Sequence, residues 1–533
     1  MRLGRSARGG RLGLRALGLA VAGALAGSGA AAAAIPIVSV IPTAPAYAGH
    51  PAAPNPITGV PATPRNPHMA PNGRSEIHND AWQTDAYAYA GPLGRSPLTF
   101  STALLPPRDC GSIAFDSRGR LVSVCVGISG PQLYMFDPQT LDTVATFALP
   151  PRQSPPSNVF QDFTGGGYFY LDNHDRVVTS TTTHHILVIA ETADGAGFGL
   201  VRDYDLSHVL TSGEHITSAL PDSNGLLWFV TKTDGVVGTL NLATGTLHVI
   251  RLGHGAVGEI ENSFATGMQG DVYIATNRKL YRFTAGHGGV PRIQWQITYP
   301  NSFQHKPGQV DDGTGTTPTV MPGGYVNITD NADPMDIMVY RTALHPSRVV
   351  SARRQHRHLE EEEEKPLGAR HRRRQSLPRQ VCRVPVFSRG QSADENSIIV
   401  AGRAMIAENN YGYTGPSTTT GGMRTAPGFV RVDLNRNGMG CHTVWTNRTE
   451  RAPTVVSKLS LANGLIYTYT EEPGATDPWY WTALDFRTGR TVYRQAAGSG
   501  SSFNNNYAGI AISRSGTEYL GTLSGPIAMR DGR

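Results

Sequence analysis

Complete catalytic signatures are missing from this chain. It has no G-x-S-x-G elbow, no H-E-x-x-H pair, no C-x-x-C and no P-loop. The nucleophile-elbow hydrolases, zincins, dithiol redox centres and phosphate-cradling enzymes that depend on them are excluded. Gly195-Ala196-Gly197-Phe198-Gly199 does not complete a dinucleotide fingerprint. Helical signal is scarce too: after residue 70 no long stretch repeats its apolar residues with a period of about 3.6. Charge is thin, at 17% of residues, and misplaced for nucleic acid. Arg2, Arg5, Arg8, Arg11 and Arg15 carry +5, and the nine Arg, one Lys and five Glu between Arg348 and Arg379 carry another +5. Against a total of +6, the rest of the chain is −4. A mildly acidic body offers phosphate no sequence-independent attraction, so no nucleic-acid partner is expected.

The arginines at the start precede a stretch, Ala16 to Ala48, with no charge at all. It opens on the apolar run Leu17 to Leu25 and ends on Ala46-Tyr47-Ala48. A basic head, an apolar middle and a small-x-small site form the pattern of a cleaved secretory signal over residues 1–48. The alternative is an uncleaved anchor, since an apolar run of about 20 residues spans a bilayer. After cleavage no stable membrane span is expected, and the protein is read as secreted or extracytoplasmic. Residues 49–75, rich in Pro and Ala, read as a flexible spacer. Four cysteines in an exported chain point to two disulfides. A turn at Ser117-Arg118 sets Asp116 against Gly119, and the same register sets Cys110 against Cys125. Cys382 and Cys441 are left for each other; free buried thiols are the alternative.

What is present instead is one unit, repeated. A tight turn followed by an apolar strand recurs at Asp116-Ser117-Arg118-Gly119, Asp172-Asn173-His174-Asp175, Asp222-Ser223-Asn224-Gly225 and Met268-Gln269-Gly270. It returns at Pro322-Gly323-Gly324, Gly402, Ala462-Asn463-Gly464 and Arg514-Ser515-Gly516. A second hairpin aligns on Asp137/Thr140, Asn241/Thr244 and Asp485/Thr488, with Asp433 as a fourth copy. Two hairpins make four strands, and a spacing of about 45 to 60 residues fits a propeller blade. The fold class is therefore all-β: an eight-bladed β-propeller of four-stranded antiparallel blades over 76–533, with seven blades as the alternative. Leu98–Leu105 is expected to close the ring against Ile527-Ala528-Met529, because pairing the chain ends removes exposed edges.

The pattern Asp485-Phe486-Arg487-Thr488-Gly489 with Tyr493 resembles the blades of quinoprotein-like propellers, the pyrroloquinoline quinone dehydrogenases, and of YVTN-type bacterial surface propellers. The resemblance is one of blade pattern and implies fold rather than function. The quinone enzymes' adjacent-cysteine pair and a C-x-x-C-H haem site are absent, so pyrroloquinoline quinone is not the expected cofactor. One tract, about 348–379, has no strand pattern and lies within an aromatic-free stretch from Tyr340 to Phe387. It reads either as a solvated insertion or as a slip in the coding frame.

Propeller geometry places a candidate site. Innermost strands start at one mouth of the channel, and six residues near those starts form the candidate ring: His215, Glu261, Asp312, Glu395, Lys458 and Asn505. Glu261-Asn262-Ser263 and Glu395-Asn396-Ser397 repeat one tripeptide there. Converging carboxylates bind a cation, Ca²⁺ being the natural choice, or raise one another's pKa. Loops carrying Tyr411, Tyr413, Trp479 and Trp481 open on the same face and offer either sugar-stacking rings or packing between blades. Two functions follow. One is an exported, monomeric propeller that binds a small polar ligand, cation or extracellular partner. The other is an oxidoreductase assisted by a quinone or metal, or a lactone or glycan hydrolase, with Glu261 and Glu395 as acid and base and Lys458 as electrostatic partner.

Overall fold

The repeated turns organise the chain through one recurring interaction. Asp116 Oδ1 accepts the amides of Arg118 and Arg120, at 2.9 and 2.8 Å. Asp172 Oδ1 does the same for His174 and Arg176, and Asp222 Oδ1 for Asn224 and Leu226. A short carboxylate that satisfies two amides of its own turn fixes the hairpin locally. The fourth turn position needs a left-handed backbone, supplied by Gly119 at φ +81° and Gly225 at φ +87°; Asp175 takes it at φ 58°. The second hairpins use the same device, Asp485 Oδ1 accepting from Arg487 and Thr488. Asp433 does not follow: it lies within the strand Phe429–Leu434 and pairs with Arg431 at 2.7 Å. Asn435 opens that turn instead, its carbonyl accepting from Gly438.

The structure, a computed structural model, describes residues 46–152, 159–343 and 379–532. Residues 1–45 and 344–378 lie outside these, and with them most of the expected signal and the charged tract from Arg348. All described residues fall in the unit Ile35–Arg533. They form eight sheets, each one blade, all antiparallel except where Ala86–Tyr87 pairs in parallel with Lys458–Ser460 of blade 7. Blades 1 to 7 are built from strands within 108–148, 169–205, 216–251, 265–298, 319–341 with 380–385, 399–447 and 458–499. Blade 8 takes three strands from 511–530 and its outermost strand, Leu98–Ser101, from the start of the chain. Phe100 pairs with Ala528 and Ser101 with Ile527, the closure expected from the sequence. Among the described residues no helix is long and apolar enough to cross a membrane.

The core lies between blades. One apolar cluster joins blades 2 to 4 around the fully buried Trp228, and another joins blades 6 to 8 around Trp479 and Trp481. Each such ring removes roughly 150–250 Å² from water. Cys110 and Cys125 are bonded across the two inner strands of blade 1, where they are direct register partners. Cys382 and Cys441 are also bonded and staple the outermost strands of blades 5 and 6.

The expectation of a flexible spacer over 49–75 is corrected by the structure. Tyr47–Gly49 adds an outer strand to blade 7, and residues 66–89 cross the channel as a plug. The plug reaches every blade. Phe115 donates to Arg74 O at 3.0 Å, Ala70 donates to Leu171 O at 2.9 Å, and Thr266 donates to Ala81 O at 2.8 Å. Val320, Val400 and Leu459 donate to Trp82 O, Thr84 O and Asp85 O, each at 2.9 Å. Asn66 Nδ2 donates to Pro221 O at 2.8 Å and the Tyr89 hydroxyl to Ile512 O at 3.0 Å. The physical reason is the row of unpaired amides and carbonyls that innermost strands present to a channel. A segment rich in backbone and side-chain acceptors is well suited to satisfy that row.

Candidate functional site

The plug turns a channel into a pocket. Above it lies a cavity of about 680 Å³, in the range that takes a small organic ligand. Ile77 and His78 of the plug line it, together with Asp109 and Ser112 of blade 1, Glu395 and Ser397 before blade 6, and Asn506 and Tyr507 before blade 8. Ile128, 79% exposed, adds an apolar surface at its edge. Asp109 accepts from Asn506 Nδ2 at 2.8 Å, while its Oδ1 is buried without a partner. Burial pushes the Asp109 carboxyl up to about 7, with Asn506 and Arg152 opposing. Glu395 Oε2 accepts the Val310 amide at 3.0 Å. Burial, and then the neighbouring Asp311, raise the Glu395 carboxyl well above its ordinary range.

His78 is engaged through both ring nitrogens. Its Nδ1 faces both oxygens of Asp85, at 3.2 and 3.1 Å. Its Nε2 faces the hydroxyls of Ser397 at 3.3 Å and Thr317 at 3.4 Å. Asp85 also receives the Lys458 ammonium, which donates to Ile77 O at 2.6 Å as well. His78, Asp85 and Lys458 are all buried. Burial lowers the His78 pKa; the Asp85 carboxylate opposes this and the Lys458 charge adds to it. The backbone here sits in sparsely populated territory, with Asn79, Gln83 and Asp85 at φ 60°, 63° and 55°. Non-glycine residues hold such angles only where the surroundings over-determine them.

The six residues of the candidate ring do not form one ring. Glu261 and Glu395 belong to one acidic group, each acting electrostatically on Asp311 or on the other. Glu261, Glu259 and Asp311 bring one carboxylate oxygen each to within 4.8 Å of one another, a donor set suited to a hard divalent cation. Lys232 already pairs with Glu261 at 2.7 Å, and burial still raises that carboxyl to about 7. His215 sits beside this group, half-buried, its Nδ1 3.3 Å from Thr182 O. Asp312 points elsewhere, to Arg278 at 2.8 Å; its neighbour Asp311 is the inward carboxyl. Lys458 is not at the mouth but under the plug. Asn505 is buried between blades, accepting from Thr454 Oγ1 at 3.1 Å. The period places a residue near a strand start, but strand alternation and neighbouring segments decide where it points.

The aromatic loops are also corrected. Trp479 and Trp481 are buried in the core, with Trp479 stacked on Tyr469 at 5.2 Å, and Tyr413 is fully buried against Tyr507. They pack blades rather than present rings to a sugar. The residues that sequence reasoning missed are Glu76, His78, Asp80 and Asp85. Their only signal is a dense polar run, Ser75 to Asp85, too acidic and too aromatic for the spacer beside it.

No family model matches this chain. An uncharacterised protein of Archaeoglobus fulgidus is 24% identical over 339 residues, 59% of this chain and 60% of that protein, so the match spans less than two thirds of the relative. Among solved structures, a streptogramin B lyase aligns with 81% of this chain and 97% of its own, at 9% identity and a TM-score of 0.40. A quinohemoprotein alcohol dehydrogenase from Pseudomonas putida aligns with 86% of this chain and 80% of its own, at 10% identity and a TM-score of 0.46. The eight-bladed β-propeller is defined by this chain's own strand pairing.

Proposed function

We propose that this protein acts outside the cytoplasm as a binder of a small, neutral, hydroxyl- or carbonyl-bearing ligand, held in the cavity above the plug. The observation that carries the reading is the cavity itself: about 680 Å³, bordered below by the plug, with apolar wall and a few convergent polar groups. Asp109, raised to about 7, offers a proton as well as an acceptor near neutrality, which favours an uncharged polar partner over a cation. The extracytoplasmic assignment is supported by two bonded cysteine pairs and by the basic-then-apolar start of the sequence. Cleavage after Ala48 removes Tyr47 and Ala48 from the outer strand added to blade 7 but leaves the whole plug in the mature chain. The acidic group Glu259, Glu261 and Asp311 offers a separate place for Ca²⁺.

Gly111 supplies the test. It lines the cavity, its φ is not in the left-handed region, and a Cβ there meets no atom within 4 Å. Gly111→Phe therefore projects a ring into open space at the cavity wall without forcing a left-handed backbone. In a thermal-shift panel of monosaccharides, polyols and sugar lactones, at least one compound should raise Tm by about 2 °C or more at saturating concentration. The Gly111→Phe protein should show no such shift. A panel without any shift, or a shift that Gly111→Phe leaves intact, overturns the reading.

A further inference from the structure

We infer that Ser397, His78 and Asp85 form a nucleophile, base and orienting acid, and that the cavity carries out acyl transfer to water on a small ester or lactone. This rests on the ligand-binding reading above and adds a reaction to it. Three observations carry it. First, the three side chains come from distant parts of the chain yet stand in serial contact: Ser397 Oγ 3.3 Å from His78 Nε2, and His78 Nδ1 3.1 Å from Asp85 Oδ2. Nucleophile, base and orienter in that order are recognised by geometry, whatever the fold, and such contacts are often loose before substrate binds. Second, Ser397, His78 and Thr317 line the cavity, so the reacting oxygen has somewhere to meet a substrate. Third, the orienting acid is itself held: Asp85 sits at φ 55° with Lys458 on its Oδ1. The cost of that geometry is met by the surrounding structure, a pattern found at functional sites.

The chemistry balances with water as the only co-reactant. Ser397 Oγ forms a bond to the substrate carbonyl carbon as its proton passes to His78 Nε2. Asp85 accepts a hydrogen bond from Nδ1–H throughout, which fixes the tautomer and stabilises the imidazolium. The bond from carbon to the leaving oxygen then breaks, and Nε2 returns the proton to that oxygen. Water attacks the acyl-serine by the same route, giving a carboxylic acid and free Ser397. Thr317, 3.4 Å from the same nitrogen, is placed to donate to the carbonyl oxygen as negative charge develops there. Charged and titratable groups around the imidazole are Asp85, Glu76 and Asp80 on the plug, Lys458 on blade 7 and Glu408 on blade 6, and the Asp85 charge acts to raise the other three carboxyls.

The test uses a small alkyl fluorophosphonate on the purified native protein, with the labelled residue mapped by mass spectrometry. The expected result is one adduct, on Ser397, whose rate falls about 100-fold or more in His78→Gln and is abolished in Ser397→Ala, both variants keeping the native Tm within a few degrees. Labelling should rise with pH and level off, its midpoint below 6.5, as burial of His78 requires. Gly111→Phe should block it. An adduct on Thr317 overturns the choice of nucleophile. No adduct on either residue, in a protein that still shows the Gly111-sensitive ligand shift, overturns the acyl-transfer inference and leaves the binding reading standing. Loss of both the adduct and the ligand shift overturns both.

Discussion

The tripeptide Glu-Asn-Ser occurs at the same place in two blades, and the two copies do different things. In the copy before blade 4, Glu261 pairs with Lys232 at 2.7 Å, Asn262 accepts from the Tyr168 hydroxyl at 3.0 Å, and Ser263 bonds Ser218 at 2.8 Å. Two of these contacts are with blade 3, and the third is with Tyr168, which immediately precedes blade 2. In the copy before blade 6, Glu395 accepts from Val310, Asn396 donates to Val455 O at 2.7 Å, and Ser397 faces His78 at 3.3 Å. Only this serine meets the plug. The repeat sets position; a segment outside the repeat sets chemistry.

The largest expected effect is on reactivity. Ser263→Ala should leave fluorophosphonate labelling of the protein unchanged, while Ser397→Ala removes it. Equal labelling of the two serines would erase the contrast. Next in size is the pair of lysines. Lys458 is fully buried against Asp85, so Lys458→Met leaves a buried carboxylate uncompensated and should cost about 3–5 kcal/mol in a denaturant titration. Lys232 is a quarter exposed, and Glu261 beside it already protonates near 7. Lys232→Met should cost about 1 kcal/mol or less. A reversed order would mean that the plug is held less tightly than the blades.

The smallest effect is the dependence of stability on pH. Burial raises Glu261 to about 7 and Glu408 to about 8, against 4.5 for an ordinary glutamate. Native protein then keeps protons that the unfolded chain has released. The stability these groups provide is full below 4.5 and is lost as pH rises through 7 to 8. His78 works the other way: its lowered pKa favours the fold above 6.5, and that share is lost as pH falls through the lowered value. The carboxyls outnumber it, so Tm should be lower at pH 8 than at pH 5, and Glu408→Gln should flatten the slope. A Tm that rises over this range would contradict these assignments.

The blades were legible because their information is local and periodic. Asp116, Asp172 and Asp222 accept the amides of their own turns, so each turn marks itself within four residues. Counting such turns gives eight units, and Cys110 meets Cys125 across the same hairpin, with a register shift between Cys110 and Ser112. The site was legible only in part. Glu395 lines the cavity because a strand start faces the channel. Lys458 was misplaced because its partner, Asp85, lies 373 residues away in a segment with no period. His78 escaped for the same reason: nothing between Ser75 and Asp85 repeats, so no comparison between blades points to it. The plug bonds largely through its carbonyls, such as those of Ala81, Trp82 and Thr84, and every residue type has one.

Hydrogen exchange resolved to single residues tests the central claim, that the start of the chain crosses the channel and builds the site. The amides of Thr266, Val320, Val400 and Leu459 lie on innermost strands and donate to the plug carbonyls of Ala81, Trp82, Thr84 and Asp85. They should be protected as strongly as Val230 and Tyr467 in the second strands of blades 3 and 7. Exchange of these four amides at the rate of an open, solvent-facing strand edge would contradict it.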